Sequence, residues 1–167
     1  MRNGPAQSML SGYGTEDEEF FTVGYERTGS EDLYLLLKSF GVNCLVDVRE
    51  VPWSRVPDYR KSALERRLEE YGEKYGHRIR YVSMPGLGNP EENRKSDKKE
   101  EEHADHYRRY ALGKTLELER LRQLIKTSRT ALMCYEKDPQ KCHRSILARI
   151  MEEKYGLTHI DISGCVH

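Results

Sequence analysis

The chain has 167 residues, enough for one domain with its own core and no need of metal or disulfide staples. Its 28 basic and 28 acidic residues cancel, which excludes a protein that wraps duplex DNA through bulk positive charge and leaves only a local basic groove open. The four cysteines are scattered, residues 1–10 carry no apolar signal core, and no window approaches the roughly 18 apolar residues of a membrane span. The expectation is a reduced, cytoplasmic protein with no membrane partner.

Residues 1–18 mix Gly, Ser and Pro with acidic residues and have no periodicity, so they are expected to form a flexible tail ahead of a single domain over 19–167. Phe20–Val23 predicts a strand that ends at Gly24. Thr28 and Glu31 have capping-box spacing before a stripe of Leu33, Leu36, Leu37 and Phe40, which predicts a helix stopped by Gly41. Cys44–Arg49 predicts a second strand, its apolar start suited to a parallel strand covered on both faces. Pro52 and Pro57 make the next segment a loop, and Ser62 with Glu65 repeats the capping-box spacing before a helix over 62–71.

Ile79–Ser83 predicts the third strand, and residues 86–113 a loop that leads into a solvated helix. Leu118, Leu121, Leu124 and Ile125 form the stripe of another helix, followed by a fourth strand at Thr130–Cys134. Ile146, Leu147, Ile150 and Met151 mark the last helix, and Thr158–Ile162 the fifth strand. This alternation predicts an α/β fold, a three-layer Rossmann-like sandwich around a mostly parallel five-stranded sheet with right-handed crossovers, in the order 3-2-1-4-5. The loops after the first four strands would then open at one edge, with a switch point between strands one and four.

Polar residues collect at that edge. Asp47 and Arg49, two apart at a strand end, share a face, and a carboxylate after three apolar residues could orient water or a substrate hydroxyl; an internal ion pair that fixes the loop is an equal alternative. Glu136, two beyond Cys134, is a second candidate catalytic carboxylate, unless it caps the next helix or pairs with Arg144. Ser54, Arg55, His143 and Arg144 join Arg49 as anion-binding candidates, the last two at a helix start where free amides add to the field. Cys134 and Cys142 are candidate thiols, although an arginine five residues beyond either, as a thiol-phosphatase loop requires, is missing: Gln140 and Ala148 stand there. Tyr25 and Tyr59 lie where they could stack on a base. Cys134, Cys142, His143 and the His103/His106 pair give no metal set on spacing, because adjacent Cys and His rarely serve one ion, and no cofactor is called for.

The segments Thr22-Val23-Gly24-Tyr25, Leu45-Val46-Asp47-Val48-Arg49 with Val51-Pro52-Trp53-Ser54-Arg55, Arg80-Tyr81 with Leu87-Gly88, and Cys134-Tyr135-Glu136-Lys137-Asp138-Pro139 with Cys142-His143-Arg144-Ser145 resemble the family known as domain of unknown function 488. The resemblance spans roughly residues 20 to 162 and implies an α/β domain without naming a reaction; the family often has His where this chain has Tyr25. From the residues, the expected function is an enzyme on a nucleotide or nucleic acid, with N-glycosidic bond hydrolysis by Asp47 and Glu136 as the candidate reaction. The alternatives are a non-enzymatic anion- or nucleotide-binding module and rhodanese-like thiol chemistry at Cys142 or Cys134. A phosphate-bearing small molecule or nucleic acid is the expected partner.

Overall fold

Five strands assemble a fully parallel sheet in the order β3-β2-β4-β1-β5: β1 is Glu19–Gly24, β2 Cys44–Asp47, β3 Arg80–Ser83, β4 Thr130–Cys134 and β5 Thr158–Asp161. The computed structural model describes residues 18–165, so the expected tail at 1–18 lies, all but its last residue, outside the described residues. β4 has all five residues buried and takes the centre, whereas neither β3 nor β5 has a fully buried residue and these two form the edges. The expected order had β1 in the centre. Right-handed crossovers permit either arrangement, and what distinguishes them is a long-range contact: Thr22 on β1 donates to Asp161 Oδ2 on β5 at 2.6 Å, which holds β1 beside the edge strand.

The helices are α1 (Ser30–Ser39), α2 (Lys61–Tyr75), the single turn α3 (Glu91–Arg94), α4 (Glu100–Leu112), α5 (Thr115–Thr127) and α6 (His143–Tyr155). Strand alternation divides the core between the two faces of the sheet. Phe21, Val23, Leu45, Ala131 and Met133 pack under α1 and α2, through Leu33, Leu37, Leu64 and Leu68. Phe20, Cys44, Val46, Leu132 and Cys134 pack under α4, α5 and α6, through Tyr107, Leu118, Leu121, Leu147 and Ile150. Each fully buried Leu contributes about 1.5–3 kcal/mol, so truncation of Leu132 in the central strand is the kind of change that would cost this sheet most.

Neither expected capping box forms. Gly29 and Arg60 occupy the N-cap positions of α1 and α2 without a side-chain cap, and Thr28 Oγ1 turns back to the Glu26 carbonyl at 3.3 Å. Tertiary burial of the leucine stripes, rather than the caps, holds both helices. The terminus of α2 is set by Gly76, whose φ of 71° lies in the left-handed region that ends helices.

Crossovers from β1 and β2 pass over the α1–α2 face, and those from β3 and β4 over the opposite face. The chain leaving β4 therefore diverges from its neighbours on both sides, and the strand ends open into a crevice there. Register places Gly24 beside Cys134, and Asp47 beside Met133. The crossing is tight: a Cβ on Gly24 would lie 1.8 Å from the Glu136 carbonyl oxygen, so only glycine lets the segment after β4 fold across β1.

Candidate functional site

A cavity of about 570 Å³ opens at this edge, walled by the segments after β1, β2, β3 and β4 and by the start of α6. Arg49, Ser54, Arg55, Glu136, His143 and Tyr25 all line it. So do Trp53 and Tyr135, 56% and 50% exposed, with Val51 and Val56 beside them. Trp53, Tyr135, Val51 and Val56 thus give the cavity an exposed apolar rim.

Asp47 lies beneath the cavity and is fully buried. Its Oδ1 accepts from the Arg49 amide at 3.1 Å and from Arg49 Nε at 2.9 Å; its Oδ2 accepts from Arg49 Nη2 at 2.7 Å and the Tyr81 hydroxyl at 2.5 Å. Both oxygens are engaged, so the carboxylate orients Arg49 rather than facing a substrate. Arg49 Nη1 also donates to the Tyr25 hydroxyl at 3.0 Å. Burial works against the Arg49 charge, but the Asp47 carboxylate outweighs it and raises the guanidinium above its ordinary pKa. Burial pushes the Tyr81 hydroxyl up, and the neighbouring Asp47 adds to it. Arg49 is thus a fixed cation whose two remaining N–H groups are free for an anion.

The stacking candidates divide. The Tyr25 and Tyr59 rings stack on each other at 4.1 Å with planes 15° apart, and the Tyr59 hydroxyl donates to the Thr28 carbonyl at 2.7 Å. Tyr59 is therefore core, raised in pKa by its burial, and its face is covered by Tyr25. The exposed aromatic rings are Trp53, one face of which lies under the Arg60 guanidinium at 5.2 Å, and Tyr135, set edge-on to Tyr25 at 5.4 Å.

Around the start of α6 the expected anion grip is mostly spent inside the protein. Arg144 is fully buried and does not line the cavity. Its guanidinium donates to the Glu136 carbonyl, to the Lys137 carbonyl at 3.0 Å, to Ser163 Oγ at 3.1 Å and to Asp161 Oδ2 at 3.1 and 3.2 Å. It clamps the loop after β4 onto β5, and this corrects its assignment as an anion ligand. The Arg144 amide is taken by Cys142 Sγ at 3.5 Å and the Ser145 amide by the Cys142 carbonyl at 3.3 Å, so these helix amides are occupied too. His143 reaches the cavity wall but is otherwise enclosed, and burial lowers its pKa to about 4, against a smaller opposing effect of the Val48 carbonyl at 2.9 Å from Nε2. At neutral pH it is uncharged and adds no cation.

Cys134 and Cys142 are joined as a disulfide across the loop, where the sequence suggested separate thiols. Glu136 keeps its carboxylate toward the cavity, with Oε2 3.7 Å from Cys134 Sγ. It neither caps α6, whose N-cap is Cys142, nor forms an ion pair with Arg144, which takes its backbone carbonyl instead. Ser54 accepts from the Val56 amide at 3.1 Å and shapes the loop, and Arg55 is exposed beside it.

Four further cavity residues were not singled out from sequence: Arg94, Lys141, Asn89 and Glu50. Arg94 Nη2 pairs with Glu50 Oε2 at 2.8 Å, and Gly88 lets this wall close, since a Cβ there would lie 2.1 Å from the Glu50 amide nitrogen. In the sequence the segment that carries Asn89 shows only as a loop, at the turn Gly88-Asn89-Pro90. Among the described residues no helix is long and apolar enough to cross a membrane.

No curated protein and no solved structure matches the chain. The family model described as "Domain of unknown function DUF488" matches residues 30–151, which takes in α1 through most of α6 and nearly all of the cavity wall. By that match, across most of its length, the chain belongs to the DUF488 family.

Proposed function

We propose that the cavity takes a phosphate-bearing ligand of the nucleotide or nucleic-acid class and that Glu136 acts on it, in hydrolysis of an N-glycosidic bond. The observation that carries this reading is the grouping of Arg49, Arg55, Arg94 and Lys141 with the exposed rings of Trp53 and Tyr135 around one cavity. Guanidinium groups match phosphate oxygens, and an exposed aromatic ring stacks on a base for about 1–3 kcal/mol. The cavity volume of about 570 Å³ suits a ligand of nucleotide size. Glu136 on the same wall would hold the attacking water or oppose the positive charge that develops on the sugar. Asp47 contributes as a positioning residue, through Arg49. The purified protein is expected to release free base from a nucleoside, nucleotide or damaged-base oligonucleotide, followed by chromatography. Glu136→Gln should bind without releasing base. A protein that neither binds nor cleaves any of the three classes would end this reading.

One observation favours a non-enzymatic binding module instead: with Asp47 fully engaged and Glu50 paired to Arg94, Glu136 is the one cavity carboxylate without an ion-pair partner among the described residues. That reading predicts saturable binding, no base release, and the same affinity in wild type and Glu136→Gln.

A further inference from the structure

Cys134 ends β4, Cys142 is the N-cap of α6 and His143 is its first residue, and their Sγ, Sγ and ring nitrogen atoms all lie within 4.8 Å of one another. Adjacent cysteine and histidine ordinarily diverge. Here Cys142 is extended, with φ −125° and ψ 141°, and the backbone then enters the helix, a change that brings both side chains to one side.

His143 Nε2 is 2.9 Å from the Val48 carbonyl, which only accepts, so Nε2 carries the proton and Nδ1 keeps its lone pair. Tyr107 packs edge-on against the ring at 5.0 Å and holds it there. Nδ1 stands 3.8 Å from Cys142 Sγ. A histidine fixed through one nitrogen by a backbone carbonyl, with the other aimed at sulfur, is the arrangement that metal-bound imidazoles use.

We infer that, with the disulfide reduced, Cys134 Sγ, Cys142 Sγ and His143 Nδ1 form a site for a thiophilic divalent cation of the Zn²⁺ type, whose fourth position opens on the cavity side to water, with Glu136 taking that position only when it is not engaged with a cavity ligand. Ligands at about 2.3 Å (sulfur) and 2.0–2.1 Å (nitrogen) from a tetrahedral ion stand roughly 3.5–3.8 Å apart. The His143–Cys142 separation already matches this, and Glu136 Oε2 at 3.7 Å from Cys134 Sγ matches it too. The cysteine Cα atoms are 7.5 Å apart, more than the usual 4.4–6.8 Å of a bridged pair, so the sulfurs can part around an ion without backbone movement. Arg144 supplies an N–H to each sulfur, Nη1 to Cys134 at 3.3 Å and the amide to Cys142 at 3.5 Å, donors that stabilise thiolate ligands. Two sulfurs and an imidazole select Zn²⁺ over Mg²⁺ or Ca²⁺. The site stands whichever ligand fills the cavity.

The disulfide is then the metal-free, oxidised state. A dithiol reductant converts it by giving up two electrons and two protons, becoming a disulfide itself and leaving two protein thiols. The cation displaces the two thiol protons into solvent.

The test uses the full chain, reduced with a water-soluble phosphine. Phosphorus is oxidised to the phosphine oxide with oxygen from water, and the protons go to the two sulfurs. Co²⁺ is then added as the probe. One equivalent should give thiolate-to-cobalt charge-transfer bands and the intense visible bands of a tetrahedral ion, and Zn²⁺ should abolish both. The bands should disappear in Cys142→Ser and survive in Cys165→Ser. Because the first variant could misfold, the wild-type protein supplies a second measurement: bound Zn²⁺ should protect Cys134 and Cys142 from iodoacetamide, as mapped by mass spectrometry. Absence of charge-transfer bands in the reduced wild type, bands that persist in folded Cys142→Ser, or alkylation of Cys134 and Cys142 unaffected by Zn²⁺ would each overturn the assignment.

Discussion

The Arg49 guanidinium is held by both carboxylate oxygens of Asp47, Nε to Oδ1 at 2.9 Å and Nη2 to Oδ2 at 2.7 Å, and the pair is buried under the cavity that Arg49 lines. Two residues in one strand-end turn thus present a cation whose position does not depend on the ligand. A buried pair gains little over an apolar substitute, but the loss of one partner strands the other. Asp47→Asn should therefore destabilise the protein by about 3–5 kcal/mol in urea unfolding. A stability unchanged from wild type would mean that Asp47 and Arg49 are not coupled in this way.

Gly24 is expected to tolerate no side chain. A Cβ would lie 1.8 Å from the Glu136 carbonyl, and the atoms it meets are backbone, which Arg144 also holds. Gly24→Ala should cost more than the roughly 1–3 kcal/mol of ordinary overpacking, and in any protein that folds it should displace Glu136. Thermal unfolding at the wild-type temperature would contradict this account of how the loop crosses β1.

Asp58 ties the start of α1 to α2: Oδ2 accepts from Ser30 Oγ at 2.7 Å, and Oδ1 from Arg67 Nε at 3.1 Å. The Ser30 hydroxyl, followed by Arg67, holds the carboxyl below its ordinary value of 3.8 despite the opposing effect of burial. The folded chain thus takes up this proton less readily than the unfolded chain. The stabilisation is complete above the ordinary value and is lost as pH falls through the lower, folded one. Asp58→Asn should be less stable than wild type at neutral pH, and the gap should narrow in acid. Urea midpoints at both conditions check this, and a gap independent of pH would refute it.

The periodic signals that located the strands and helices were strong because each reports a buried face: Leu33 with Leu37, Leu64 with Leu68, and the wholly buried β4. The positions of β1 and β4 in the sheet were not legible, since both are apolar and the deciding bond, Thr22 to Asp161, joins residues 139 apart. The same limit applied at the site. Asp47 and Arg49 were recognisable as a pair from their spacing, but whether the carboxylate faced outward depended on Tyr81 from a neighbouring strand. Arg144 looked like an anion ligand beside a helix start, and only Asp161 and Ser163, well along the chain, turn it into an internal clamp. Cys142 and His143 looked incompatible as neighbours until the turn from extended to helical backbone set both toward Cys134.

Trp53 is the chain's single tryptophan and stands on the cavity rim, so its fluorescence reports on the cavity directly. Titration with a nucleoside monophosphate should quench this emission saturably. The parent nucleoside, which lacks the phosphate for Arg49 and Arg55, should bind at least about tenfold more weakly, the loss expected from about 1.4 kcal/mol of charge-assisted contact. Arg55→Ala should remove most of that difference. Emission unchanged by any nucleotide, or equal affinity for nucleotide and nucleoside, would contradict the assignment of this cavity as a phosphate-reading nucleotide site.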